Sequence, residues 1–300
     1  MAAFVGGTGP LVVGFVAQAG EAPPPAGAAS PPGVQAPQTS ARQPLPSPSP
    51  QRARGGRSKV GKEDKEPSKA EAPGTSSQAG PAKPLRGQQL YEQLLRSTAW
   101  VAINLSGDWS EMSWGTGWLV DRDRKRIITN HHVVAKGAAV HRDEQIHVYF
   151  PQRAGKELML RREQYLKRGK AYRARVFDSD AKRDLAVLQL DAVPDGVRPL
   201  ELAAEPIQPG EAVYQLGNPL ASDAMWVFTS GTVRQVYRAR ATYSNGQVCD
   251  FLRVETQSPT NPGDSGGPVI NERGELVAIH NGSSNAGQLM TYFIDARELK

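Results

Sequence analysis

Cysteine is almost missing from this 300-residue chain: Cys249 stands alone, so no intrachain disulfide can form and stability must come from an apolar core. Aromatic residues are missing from a long stretch. None follows Phe15 until Tyr91, and all five tryptophans (Trp100, Trp109, Trp114, Trp118, Trp226) come later. Proline has the opposite bias, with 15 of its 24 residues in positions 1–87, among Ala, Gly, Ser and Gln without apolar periodicity. Such a segment buries too little apolar surface to offset its ordering entropy. Residues 20–87 therefore read as a disordered Pro/Ala/Ser-rich linker and residues 88–300 as one folded domain.

Also missing are a metal-ligand spacing, a phosphate-binding glycine loop and any cofactor motif, so no metal and no cofactor is expected. Residues 1–19 contain an apolar centre, Leu11 to Ala17, followed by Ala17-Gln18-Ala19, which has the form of a signal-peptidase site. Gly14, Pro10 and Gln18 interrupt any run long enough to span a bilayer. The expectation is a signal peptide and a secreted or periplasmic protein, with a cytoplasmic one as the alternative, and no spanning helix.

The net charge of +6 is mostly a property of the linker, where 10 Lys/Arg face 5 Asp/Glu in residues 1–87. Within the domain, residues 151–175 hold 9 Lys/Arg against 2 Asp/Glu. This segment reads as a solvated loop and strand face rather than a nucleic-acid site.

Past a helical pattern at Leu90, Leu94 and Leu95, the chain changes to short alternating runs separated by Gly, Pro, Asn or Asp: TAWVAINLS, GTGWLVD, RIITNHHVV, QIHVYF, AYRARVFD, LAVLQLD, EAVYQLGNP, FTSGTVRQVY, CDFLRVET, PVINERGELVAIHNG and LMTYFID. This is an all-β pattern of barrel or sandwich type. Asn271 to Gly274 reads as the turn of a hairpin.

Chemistry concentrates in TNPGDSGGPVI, Thr260 to Ile270. A serine hydroxyl attacks only when a base takes its proton and donors receive the oxyanion. Glycines beside Ser265 allow a sharp turn and a close approach of backbone amides to a carbonyl. The base must be one of five histidines, His131, His132, His141, His147 or His280, and Asp184 at the head of the apolar LAVLQL run offers a carboxylate to orient it. Cys249 in GQVCDFL lacks a histidine context and reads as a buried thiol. In IITNHHVV, taken as a strand end, adjacent residues face opposite sides, so only one of the two histidines can meet Asp184 and Ser265.

GTGWLVD…IITNHHVV, DLAVLQL, YQLGNPL…VFTSGTV and TNPGDSGGPVI together resemble, in order, segments of the chymotrypsin-like serine endopeptidases, most of all their bacterial HtrA/Deg branch. The resemblance covers about residues 88–300. It implies a chymotrypsin-like double β-barrel of the six-stranded type with short terminal helices, acting on protein or peptide substrates. It implies His132 as base, with His131 in the variable position, Asp184 as its orienting carboxylate and Ser265 as nucleophile. The amides of Gly263 and Ser265 would form the oxyanion hole. Asp264, which in zymogen-activated relatives pairs with a new terminus, has no assignable partner here; FVGGTG at 4–9 has the look of such a terminus by coincidence.

By the same resemblance Pro259 stands where trypsin-type enzymes carry an acid, so cleavage after Lys or Arg is disfavoured and a small or apolar residue is expected. Ile279, His280 and Asn281 are expected to line the substrate cleft, as residues of a strand to which an extended substrate adds. The sequence ends at Lys300, where the family's terminal helix should begin, and no PDZ module is expected. A catalytically silent or ligand-gated binding domain is the competing reading. Oligomeric state is not legible.

Overall fold

The computed structural model describes residues 84–300, apart from 137–138, 244–245 and 285–288, and two dipeptides, Leu11–Val12 and Ala19–Gly20, whose backbones pair with sheet edges. The expected signal peptide and linker otherwise lie outside the described residues.

The domain opens with helix α1 (Gly87–Leu95), which buries Leu90 and Leu94. Its Gln93 Nε2 donates to the Gly274 carbonyl at 2.7 Å. Gly274 has φ +80°, and a Cβ there would stand 2.1 Å from Gln93 Oε1, so turn and helix contact together demand glycine.

Apart from two short two-stranded ribbons, the described strands that follow number twelve, six to a ring. The first ring comprises β1 (Thr98–Asn104), β2 (Glu111–Asp121), β3 (Arg126–Thr129), β4 (Ile146–Tyr149), β5 (Tyr172–Asp180) and β6 (Leu185–Leu190). They hydrogen-bond in the order β2-β1-β4-β5-β6-β3, and β3 pairs back with β2 to close the barrel. The second ring comprises β7 (Ala212–Gly217), β8 (Val227–Tyr243), β9 (Val248–Gln257), β10 (Pro268–Ile270), β11 (Leu276–Ser283) and β12 (Met290–Asp295). Its order is β7-β10-β11-β12-β9-β8, with β7 pairing β8. The fold is the chymotrypsin-like one, as expected. A 3-10 turn, Ala296–Leu299, stands where a terminal helix was expected to begin.

Side-chain alternation explains why this topology has three apolar clusters. On β1, Ala99, Val101 and Ile103 join one cluster built entirely from the first ring, while Trp100 and Ala102 point the other way. Val213, Val233, Val254, Val269 and Phe293 form the equivalent cluster of the second ring. Trp100 and Trp118 of the first ring meet Leu216, Ile279 and Ile294 of the second in the cluster between them. A strand such as β1, buried on both faces, thus fills one barrel and packs against its neighbour.

The basic segment departs from its expected form. Residues 162–168 are a helix, α3 (Arg162–Arg168), not loop or strand. Tyr165 is the reason. Fully buried, it packs edge-on to Trp100, Tyr149 and Trp226, and its hydroxyl accepts from the Gln152 amide and from Trp226 Nε1, both at 3.0 Å. One aromatic anchor holds an otherwise charged helix against the seam between the rings. Among the described residues, no helix is long and apolar enough to cross a membrane.

Candidate active site

The two histidines of the doublet do not end a strand. They open a single helical turn, α2 (His131–Val134), all four residues of which are buried. Asn130 keeps extended backbone, the chain turns, and the Val133 amide donates to the Asn130 carbonyl at 3.3 Å. Strand alternation therefore does not decide between His131 and His132. Hydrogen bonding does: His132 is held to Asp184 by its backbone N–H on Oδ1 at 2.9 Å and by Nδ1 on Oδ2 at 2.7 Å. With a carboxylate at Nδ1 that nitrogen carries the proton, and the lone pair of Nε2 faces away from Asp184. Among the described residues, His132 Nε2 has no hydrogen-bond partner.

Asp184 is fully buried in the turn before β6, with φ +54°. A carboxylate there needs partners, and it has them. Besides His132, Oδ2 accepts from Asn281 Nδ2 at 2.7 Å and lies 3.4 Å from the Tyr243 hydroxyl, which itself donates to Asn281 Oδ1 at 2.8 Å. Asn130 Nδ2 caps the Asp184 carbonyl at 2.9 Å. Left-handed backbone is tolerable for aspartate, and here it turns the side chain into the seam while β6 continues outward.

Ser265 lies across the seam, on the loop before β10. Its Oγ donates to the Asn281 carbonyl at 3.3 Å, and its own carbonyl accepts from Thr116 N–H on β2 at 2.7 Å. The loop consumes several of its amides internally: Asp264 N–H on Asn261 O, Gly267 N–H on Asp264 O and Gly266 N–H on His280 O, at 2.9–3.1 Å. Among the described residues the amides of Gly263 and Ser265 have no acceptor. Gly263 has φ +101°, and a Cβ on it would stand 2.4 Å from the Asn218 carbonyl and 2.8 Å from Trp114 Nε1.

Such a constellation has a buried carboxylate behind an imidazole, a hydroxyl on the facing loop and free amides beside it. It is equipped for acyl transfer. Residues 115–279 match the trypsin-like peptidase domain family. The chain belongs to that family.

Among relatives of this peptidase domain, a probable periplasmic DegP-like serine endoprotease of Hahella chejuensis is 34% identical over 175 residues, 58% of this chain and 31% of that protein. An HtrA serine protease of Lactobacillus helveticus is 25% identical over 194 residues, 64% of this chain and 41% of that one. The chain thus spans less than half the length of these relatives. In fold the domain is similar to a protease of M. tuberculosis solved in its active form, with TM-score 0.55, 22% identity, and coverage of 77% of this chain and 91% of that one. An HtrA-type protease solved with a tripeptide gives 0.53 at 21% identity, covering 72% and 61%.

The remaining expected site residues fall in different surroundings. Pro259 is exposed on the approach to the loop. The Ile279 and His280 side chains are buried, and His280 packs 5.6 Å from the Phe293 ring with neither ring nitrogen hydrogen-bonded among the described residues. Burial, and secondarily the charge of His132, push the His280 pKa down to about 3. Asn281 has a divided position, with its amide on Asp184 and its carbonyl toward Ser265. Cys249 is buried as expected, its thiol pushed up to about 12 by burial and then by the Asp184 charge.

Asp264 does have partners. Oδ2 accepts from the Asn261 amide at 2.9 Å, and the carboxylate lies against Gly217, where a Cβ would be 2.1 Å from Oδ1. Burial raises its pKa to about 7 despite that hydrogen bond and the field of Arg162. Arg162, Trp114, Thr116 and Tyr243 were invisible as site residues in the sequence. For Thr116 the available signal was its place inside the GTGWLVD motif, and for Trp114 its place just before that motif on the same strand; Arg162 and Tyr243 gave none.

Proposed function

We propose that the chain is a serine endopeptidase in which Ser265 attacks the peptide carbonyl, His132 Nε2 takes its proton and passes it to the leaving amine as the C–N bond breaks, and water then hydrolyses the acyl-enzyme. Asp184 holds the imidazole tautomer and stabilises the imidazolium. The amides of Gly263 and Ser265 receive the oxyanion. The observation that carries this reading is the two-point attachment of His132 to the buried Asp184, which leaves Nε2 as the ring's one open nitrogen.

Protein or peptide substrates would add to the open edge beyond β11, with the Asn281 carbonyl as first acceptor and Ile279 and His280 supporting it from the core. Pro259 offers no acid to a basic side chain, so small or apolar residues before the scissile bond fit better than Lys or Arg. The periplasmic placement in the name of the H. chejuensis relative agrees with the signal-like residues 1–19 and supports an exported enzyme.

A fluorophosphonate probe should label wild type, and neither the Ser265→Ala nor the His132→Ala variant should hydrolyse a peptide library. His131→Ala should retain most activity. Labelling that persists in Ser265→Ala, or exchanged effects of the two histidines, would overturn the assignment.

A second reading has one observation behind it. Ser265 Oγ is turned to the Asn281 carbonyl rather than to His132 Nε2. A ligand-gated enzyme would rest in this state until an occupant of the cleft takes the carbonyl. Active-site titration with and without a bound product peptide separates the two, since gating predicts a larger labelled fraction with peptide.

A further inference from the structure

Arg162 opens α3, and three carbonyls converge on its guanidinium. Nη1 donates to Ser222 O at 3.1 Å, and Nη2 to Asn218 O at 3.2 Å and to Pro219 O. The guanidinium also lies 4.7 Å above the Trp114 ring, whose Nε1 donates to the same Asn218 carbonyl at 3.1 Å. The helix that carries it is fixed by Tyr165, one turn away in the aromatic cluster. Three carbonyls aimed at one point repel one another unless a donor sits between them, and a planar guanidinium bonds all three here with the multidentate geometry that an ammonium lacks.

What the clamped turn does next is specific. The Leu220 amide, in its middle, donates to the Pro262 carbonyl at 2.6 Å. Thr116 Oγ1 donates to the following carbonyl, that of Gly263, at 2.8 Å. Across a trans peptide the C=O and the next N–H point in opposite directions. Holding the Pro262 carbonyl at Leu220 therefore turns the Gly263 N–H away from the turn, free for an acceptor beside Ser265. Reversal of that one peptide plane would put a carbonyl where an oxyanion has to sit.

We propose that Arg162 is a positioning residue for the oxyanion loop: by closing the Asn218–Ser222 turn it keeps Leu220 on the Pro262 carbonyl and so keeps the Gly263 amide available. The proposal rests on the serine endopeptidase reading for its kinetic consequence and on geometry alone for its structural one. It gives the basic segment a role in the site, through one half-buried arginine rather than through its exposed charge. Arg162 also supplies the positive field felt by Asp264 beneath the same loop.

The test separates hydrogen-bond geometry from charge. Arg162→Met and Arg162→Lys should both lower kcat by about 10²-fold, the scale of losing one oxyanion donor, with KM changed less than about threefold. Affinity for a peptide boronate should fall in parallel with kcat, and guanidinium ion should restore part of the activity of an Arg162→Ala variant. A lysine variant with wild-type kcat, or a loss confined to KM, would overturn the proposal. A structural arm stands apart from activity: crystals of Arg162→Met should show the Pro262 carbonyl released from Leu220, and an intact Leu220–Pro262 bond would equally overturn it. If Arg162→Met does not fold, Leu220→Pro, which deletes the amide and leaves Arg162 in place, carries the same expectations. Failure of the endopeptidase reading itself would be seen separately, as a wild type that the fluorophosphonate probe does not label at Ser265.

Discussion

Asp184 grips His132 at two points, side chain and main chain, with oxygen-to-nitrogen distances of 2.7 and 2.9 Å. The second contact ties the start of α2 to the turn before β6, so the backbone that carries the imidazole is fixed to the carboxylate that orients it. The carboxylate is itself braced by Asn281, and Asn281 by Tyr243.

Removing that brace should slow the enzyme. A hydrogen bond to a buried charge is worth about 1.5–3 kcal/mol, so Asn281→Leu should reduce kcat/KM by roughly 10- to 10²-fold. Tyr243→Phe should cost less, because its hydroxyl is 3.4 Å from Asp184 and acts mainly through Asn281. Steady-state kinetics on a peptide substrate decide it, and an Asn281→Leu enzyme of wild-type efficiency would remove Asn281 from the site.

Asp264 should make the fold lose stability as pH rises toward neutrality. Its folded pKa is raised to about 7 by burial, while an unfolded aspartate titrates near 3.9. Between about pH 4 and pH 7 the unfolded chain has released this proton and the folded chain has kept it, so this contribution is full below the window and gone above it. Asp264→Asn retains an acceptor for the Asn261 amide and should flatten that part of the curve. Denaturant midpoints at several pH values read the difference; equal slopes in both proteins would refute it.

His280 should act in the opposite direction. With a folded pKa near 3 against about 6.5 unfolded, it refuses a proton that the unfolded chain accepts, and stability drains as pH falls through that interval. Both ring nitrogens are buried without partners among the described residues, so His280→Phe should leave neutral-pH stability within about 1 kcal/mol of wild type. Acid unfolding should then begin at lower pH, as followed by circular dichroism. An unchanged acid midpoint would count against the burial-driven shift.

Three glycines should rank by their surroundings. Gly217→Ala drives a methyl into Asp264, Gly263→Ala drives one into the Asn218 carbonyl at φ +101°, and Gly155 at φ +66° has nothing within 4 Å. The first two should each cost at least about 1–3 kcal/mol from overpacking, and both should lose activity. Gly155→Ala should show only the smaller penalty of left-handed backbone. Thermal unfolding of the three variants, ranked otherwise, would show that loop contacts do not control this region.

How far the sequence reaches is clearest at α2 and α3. Period-two alternation marked eleven of the strand runs because each has one face in a barrel and the other in the seam or in solvent. The pairing of His132 with Asp184 was legible as two motifs at a family spacing. The turn of helix at the doublet was not, since Val133 and Val134 carry the β-branched signature of a strand and only long-range bonds to Asp184 bend the chain there. Around α3 the nine basic residues of 151–175 masked the single informative one, Tyr165, whose burial depends on Trp100, Tyr149 and Trp226 arriving from other parts of the chain. Arg162 was unreadable for the same reason: its partners are backbone carbonyls, which leave no trace in side-chain pattern.

Thr116 remains the smallest part with the widest reach. Its amide holds the Ser265 carbonyl, its hydroxyl donates to Gly263 O and receives the Asn218 amide at 3.1 Å, and its strand belongs to the barrel that carries His132. His132 and Ser265 sit on separate rings, so their alignment depends on the bonds that cross the seam, those of Thr116 among them. Anything that wedges or tightens that joint, from a bound peptide to a distant substitution along the seam, would adjust the reaction like a screw on an optical mount, without touching either reacting group.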